Sequence, residues 1–231
     1  MARYAITDIH GCASTLRALV ERFGLQKSDE LYVLGDLVNK GPDSKGVIDF
    51  ILHLQKQRYN VRCLRGNHDQ MLLQAAVKGA SALTLTDTEQ ELVLQSFGIR
   101  SIEQLPAKYV AFLKELPYFF ELPDYFLVHA GFDFKQRDIF KDKDAMLNIR
   151  SYKPDPAKLN NKRLVHGHTP VPLHSIKKAV AHAELDLNLD AGCVYYKNAS
   201  YGNLVALNLD SQELFIQANQ DRPYPVARKS K

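Results

Sequence analysis

Apolar positions in the early part of the chain follow two rhythms in turn. Tyr4-Ala5-Ile6, Leu31-Tyr32-Val33-Leu34 and the run from Asn60 to Leu64 have the length of strands, and each gives way to polar residues. Between them Leu16, Leu19, Val20 and Phe23, then Val47, Ile48, Ile51, Leu52 and Leu54, recur at helical spacing. Ser14 or Thr15 is placed to cap the first helix and Ser44 the second, with Lys56 and Arg58 closing the latter. The pattern predicts a βαβαβ unit whose strand ends bring polar side chains to one edge. In open α/β sheets that edge is where ligands bind.

Further on the rhythm changes. Residues 71–117 are mostly of helical period, with Leu92, Val93, Leu94 and Phe97, then Tyr109, Phe112, Leu113 and Leu116, and predict a helical insert beside that edge. Tyr118 to Leu122 and Tyr125 to His129 predict a hairpin around Pro123-Asp124. The Lys- and Asp-rich stretch from Asp133 to Lys162 reads as a long surface loop. Arg163-Leu164-Val165 then leads into His166, and alternation over Val180 to Leu189, Leu204 to Leu209 and Glu213 to Gln217 predicts a closing antiparallel sheet. A chain of 231 residues can bury one sizeable core, so residues 1–220 are expected as one α/β domain. Residues 221–231, with Pro223, Pro225 and Arg228-Lys229-Ser230-Lys231, are expected as a disordered basic tail.

Composition narrows the class only a little. Hydrophobic content of 45% and charge of 24% are those of an ordinary soluble protein, and a net charge of +4 without a basic stripe or clustered aromatics gives no sign of nucleic-acid binding. Cys12, Cys63 and Cys193 lack metal-type spacing and read as buried thiols. The N-terminus runs straight into strand and motif, and no apolar run has the length of a membrane span, so a cytoplasmic setting is expected.

The chemistry sits where the apolar runs stop. Asp8-Ile9-His10-Gly11, Gly35-Asp36, Gly66-Asn67-His68-Asp69, His129-Ala130-Gly131 and His166-Gly167-His168-Thr169 each follow an apolar run, and they hold five of the eight histidines. Asp, Asn and His are the oxygen and imidazole ligands that suit divalent first-row metals. Hydrolysis of a phosphate ester needs a hydroxide and shielding of the phosphoryl oxygens, which two metals about 3.5–4 Å apart can supply together. Such a pair needs a bridging ligand, and the Asp36 carboxylate can be one.

These strings, with Gly35-Asp36-Leu37-Val38-Asn39-Lys40-Gly41-Pro42-Asp43-Ser44 and His166-Gly167-His168-Thr169-Pro170 in full, resemble the calcineurin-like metallophosphoesterases. Within them the chain is most similar to the bacterial phosphoprotein phosphatase branch, which includes symmetrical diadenosine tetraphosphatases. The resemblance covers about Arg3 to Leu209 and is loosest in the helical insert. It implies a four-layer αββα sandwich of two mixed sheets flanked by helices. It also implies that Asp8 and His10 hold a first metal, that Asp36 bridges, and that Asn67, His129 and His168 complete the second. Manganese is the first candidate for the two ions, and iron or zinc fits the same donors. A hydroxide between the metals would attack phosphorus in line, with no phosphoenzyme, and His68 would be the general acid. Lys40, Arg150 and Asn67 would bind the phosphate. Asn39, Arg65 and His166 would support the ligands from behind, and direct contact of His166 with phosphate stays open.

Two positions depart from the protein-phosphatase pattern. Asn39-Lys40 stands where that pattern has Asp-Arg, so His68 lacks a carboxylate partner and the cation lacks a bidentate fork. Both changes disfavour poor leaving groups such as a serine alkoxide. The expected function is metal-dependent phosphoester hydrolysis, first on phosphoproteins or small aryl-like phosphates. Symmetrical cleavage of dinucleoside polyphosphates is the rival, and a non-catalytic metal-binding scaffold is the rival of another class.

Overall fold

The computed structural model describes residues 1–79 and 85–225. Its first half is the expected unit: β1 (Arg3–Ile6), α1 (Ala13–Phe23), β2 (Glu30–Val33), α2 (Ser44–Lys56) and β3 (Asn60–Cys63). Helices α3 (Asn67–Lys78), α4 (Asp87–Phe97) and α5 (Ala107–Glu115) follow, with a 3-10 turn at Ile102–Gln104. Strands β4 (Phe119–Glu121) and β5 (Tyr125–Val128) form the hairpin. Then come α6 (Lys143–Asn148), β6 (Arg163–His166), α7 (Leu173–Ala181), β7 (Asp186–Asn188), β8 (Asn203–Asn208) and β9 (Leu214–Ala218).

The strands form two mixed sheets, ordered β3-β2-β1-β8-β9 and β4-β5-β6-β7. Strands β1, β2 and β3 run parallel, and β8 and β9 close that sheet antiparallel. Strands β5, β6 and β7 are parallel to one another. Period-two alternation decides the layers. Ala5 and Leu207 point inward to meet Leu127 and Val165 of the other sheet, while Tyr4 and Ile6 point out against α1 and α2. Phe126, Val128 and Leu164 face the opposite way, onto Phe132, Ile139 and Met146. The αββα layering is present, with α1 to α5 over the first sheet and α6 with its flanking loops over the second. No described helix is long and apolar enough to cross a membrane.

Three sequence expectations are corrected. Val180 to Leu189 is not an antiparallel strand: Ile176 and Val180 turn one face of α7 onto the inter-sheet core, and β7 then joins the second sheet parallel to β6. The stretch 133–162 is more than surface, because it holds α6 and covers the outer face of the second sheet. The tail does not begin at 221. Asp221 accepts hydrogen bonds from Ser14 N, Thr15 N and Thr15 Oγ1, at 2.9, 2.9 and 2.6 Å. A carboxylate there satisfies free N–H groups at the start of α1, a cap that Ser14 and Thr15 do not supply themselves. Tyr224 is buried beside Cys12 and Asn219. The basic run Arg228 to Lys231 lies outside the described residues.

Candidate metal centre

Loops at the C-terminal ends of β1 and β2 turn sharply, with positive φ at Asp8, His10, Asp36, Asn39 and Lys40. Non-glycine residues adopt this region only when the surroundings hold them there. Here the loops hold each other: His10 N donates to Asp36 O at 2.8 Å, Gly11 N to Leu37 O at 2.9 Å, and Asp43 N to Gly11 O at 2.8 Å. Glycine is required where backbones approach closely. A Cβ on Gly66 would strike Asp36, and one on Gly167 would strike Asp8.

Asp36 is the meeting point. Its Oδ2 lies 3.4 Å from His10 Nε2 and its Oδ1 lies 3.5 Å from His129 Nε2, with the carboxylate 2% exposed. Two trios form around it, Asp36 with His10 and His68, and Asp36 with His129 and His168. In each trio the ligand-type atoms lie within 4.8 Å of one another. Asn67 Oδ1 sits 3.1 Å from His129 Nε2 and 3.1 Å from His168 Nδ1. Asp8 stands beside both trios. Its carboxylate accepts from His168 N at 3.1 and 3.0 Å.

The donor set fits divalent cations. Burial holds the imidazoles of His129 and His168 down at about 3, and pushes His10 well below the usual range. All three are therefore neutral at pH 7, as metal ligands must be. His129 Nδ1 lies 3.0 Å from Leu34 O and His10 Nδ1 3.2 Å from Val38 O. A carbonyl only accepts, so each ring keeps its proton on Nδ1 and turns an Nε2 lone pair toward Asp36. This is how metal-ligating histidines are oriented. His129 Nε2 thus faces the Asn67 oxygen with no proton between them, and His168 Nε2 is buried without a partner. Burial, then Asp190 and Asp36, push the Asp8 carboxyl well above the ordinary range, a strain that a bound cation relieves. Lys40 brings one cation already, its Nζ 3.0 Å from His10 Nε2.

The other expected residues sort themselves by contact. His68 is buried, with its ring 4.9 Å from that of His10, and burial brings its imidazole down to about 3. Its Nδ1 faces Asn39 Nδ2 at 3.3 Å, and its carbonyl accepts from the same amide at 3.2 Å. Arg150 is exposed, and its charge helps to lower His129 and His168. Arg65 does not enter the cluster. It donates to Leu113 O and Lys114 O at the end of α5 and to Gln70 Oε1, and so fastens the helical insert behind β3. His166 spends both ring nitrogens outside the trios, on Asp186 Oδ1 and Gly167 O, each at 3.1 Å.

Two carboxylates of the site do not stand out in the sequence. Asp69, pushed up to about 8 by burial and then by Asp36, accepts from Leu37 N and Gly66 N and locks two of the ligand loops together. Its place in Gly66-Asn67-His68-Asp69 is the signal that could have found it. Asp190, buried near Asp8, follows β7 and has no signal beyond the Gly192 two residues on.

A mixed αββα sandwich with Asp, Asn and His gathered at its strand ends is the architecture of a phosphoesterase. The model of the calcineurin-like phosphoesterase family matches residues 1–199, and the chain belongs to that family. Among curated relatives, it is 37% identical over 134 residues to the symmetrical bis(5'-nucleosyl)-tetraphosphatase of Aromatoleum aromaticum, a match covering 57% of this chain and 44% of that one. With the enzyme of the same name from Acidovorax sp. strain JS42 it is 44% identical over 95 residues, covering 41% and 32%. The chain spans less than half the length of the curated relatives it matches. In structure it is similar to a protein serine/threonine phosphatase from Saccharomyces cerevisiae, with a TM-score of 0.62 at 16% identity over 97% of this chain and 81% of that one. At that identity the likeness is one of fold.

Proposed function

We propose that this chain hydrolyses dinucleoside polyphosphates with the help of two divalent metal ions. Asp8, His10 and Asp36 would hold one ion and Asp36, Asn67, His129 and His168 the other, with manganese the first candidate and iron or zinc compatible. Bound there, the ions supply a hydroxide at neutral pH and shield the phosphoryl oxygens. The remaining work falls to side chains. Lys40 and Arg150 attract and orient the phosphate chain, as point charge and fork respectively. His68 faces the leaving oxygen. The cytoplasmic setting read from the sequence belongs to this proposal.

The observation that carries the choice of substrate is the contact between Asn39 and His68. The Asn39 amide group that faces the His68 carbonyl must be the donor, so it also donates to Nδ1. The ring then keeps a single proton, on Nε2. In that state His68 can stabilise an oxygen that leaves as an anion, such as a nucleotide phosphate. It is poorly equipped to protonate a serine alkoxide outright. The named relatives support the same ranking. The phosphoprotein reading therefore moves to second place, because it asks for a proton this arrangement does not favour.

Side-by-side turnover of diadenosine tetraphosphate, p-nitrophenyl phosphate and a phosphoserine peptide by the manganese-loaded protein tests this. The tetraphosphate should give the highest kcat/KM, with ADP as its nucleotide product. Faster turnover of the peptide would reverse the ranking.

A further inference from the structure

A groove of about 330 Å³ opens at Asn67 and runs between α3 and α6. That volume lies in the range of small-molecule sites. Asn67, Gln70, Met71 and Gln74 recur at i, i+3, i+4 and i+7 and so share one face of α3. Leu147 and Asn148 of α6 form the opposite wall. One end of the groove is therefore a member of the candidate metal cluster, and the other leads away from it.

The chemistry of the walls is directional. Gln70 Oε1 is taken by Arg65 Nη1 at 2.7 Å, so its amide nitrogen is left to donate into the groove. Asn148 Nδ2 is taken by Asp144 Oδ1 at 2.9 Å, so its oxygen is left to accept. The Gln74 side chain makes no hydrogen bond to another described residue and offers both. A carboxamide pairs in two places with an adjacent acceptor and donor, the pattern on the edge of adenine. Met71 and Leu147 add apolar contact for a flat ring, and thioethers adapt well to such faces. Lys143, lying over the Tyr118 ring at 5.0 Å, has no ion-pair partner among the described residues, and it lines the groove. Its ammonium gives the groove a cation that a phosphate can meet.

We propose that the groove between α3 and α6 is a nucleoside subsite: the phosphate chain leaves the cluster at Asn67, passes Lys143, and its purine docks against Gln74 and Asn148 between Met71 and Leu147. The inference rests on the dinucleoside polyphosphate reading. A volume of about 330 Å³ suits one nucleoside better than a length of peptide.

The test uses Gln74→Leu and Lys143→Ala in the full chain, with thermal melts to show that both fold. The first readout is the ratio of kcat/KM for diadenosine tetraphosphate to that for p-nitrophenyl phosphate. It should fall about tenfold in each variant, mostly through KM, the size expected for one lost bidentate or phosphate contact. The second readout is competitive inhibition of p-nitrophenyl phosphate hydrolysis by ADP, with inorganic phosphate as the control. ADP should inhibit about tenfold less well in the variants, with phosphate inhibition moving much less. The second readout does not require turnover of the tetraphosphate. A wild type that ADP inhibits through Gln74 but that leaves the tetraphosphate intact would defeat the substrate reading and keep the subsite. Unchanged ADP inhibition in both variants would overturn the subsite, as would equal losses for ADP and phosphate. A phosphoserine peptide that outcompetes ADP and is weakened by Gln74→Leu would give the groove to peptides and overturn it too.

Discussion

The two sheets contribute to the centre in different ways. The five-stranded sheet brings Asp8, His10, Asp36, Asn67 and His68 from three neighbouring parallel strand ends, the first two followed by loops bent to positive φ and fastened to each other by backbone hydrogen bonds. The four-stranded sheet brings His129 and His168 from the ends of β5 and β6, and of these only His168 has positive φ. The first sheet can thus assemble its carboxylate-bearing half from a single βαβαβ unit. The second adds imidazoles that reach Asp36 only when Leu127 and Val165 are packed against Ala5 and Leu207. One half is local, and the other depends on how the sheets stack.

Removing the point where the halves meet should have the largest effect. Asp36→Asn leaves one neutral amide between two cation positions, and activity on any phosphate ester should fall by at least about 10³-fold. Rates on p-nitrophenyl phosphate check this. His68→Ala tests a residue of the first sheet that is adjacent to a ligand. It should keep its metal, measured by elemental analysis, and lose about 10²-fold in rate. The loss should be greater for phosphoserine than for diadenosine tetraphosphate, because the poorer leaving group relies more on the ring. Leu127→Ala attacks the stacking itself. Truncating a buried leucine costs about 2–5 kcal/mol, which would appear as a Tm lower by roughly 5–15 °C. Metal affinity should weaken with it, since His129 lies two residues on.

Smaller effects sharpen the contrast. Asn39→Asp gives His68 a carboxylate that favours the imidazolium, so the ring should take its second proton at higher pH than in the wild type, and the acid-side limb of the pH–rate profile that reports it should move up. Turnover of phosphoserine relative to p-nitrophenyl phosphate should rise by up to about tenfold, the span of one pKa unit. The effect is held back because the new carboxylate also faces the His68 carbonyl. An unmoved limb and an unchanged ratio would remove Asn39 from the substrate argument. The smallest effect is at the far end of the sandwich, where Arg3 of the first sheet pairs with Asp124 in the β4–β5 turn at 2.7 Å and with Asp210. The hydrogen bond from Arg3 holds the Asp124 carboxyl below its ordinary value. A depressed carboxyl stabilises the fold at neutral pH, and that contribution disappears as pH falls through its folded value. Asp124 is 51% exposed, so solvent screens the pair, and Arg3→Ala should cost no more than about 1 kcal/mol. Chemical melts should show the gap at pH 7 and its closure in acid.

Legibility in the sequence follows the same division. The first sheet's contribution can be read because each motif is a few contiguous residues at the end of an apolar run, with helices of clear period between. Asp36, Asn67 and His10 stand out from the amino-acid sequence alone. Contributions that depend on distant packing do not. Asp221 caps α1 from the other end of the chain, and nothing near either residue announces it. The turn of His166 toward Asp186 and away from the trios depends on the register of β6 with β7. The groove beside Asn67 needs α6, a helix of six residues inside a stretch whose mixed charge reads as loop.

As proposed, Asp36 joins two metal sites, one from the first sheet and one completed by the second. Titration of the metal-free chain with manganese, followed by calorimetry, tests this directly on the wild type, His10→Ala, His129→Ala and Asp36→Asn. The wild-type chain should bind two equivalents, each single-histidine variant one tight equivalent, and Asp36→Asn should bind more weakly at both sites. A single equivalent in the wild type, or two unimpaired equivalents in Asp36→Asn, would contradict it.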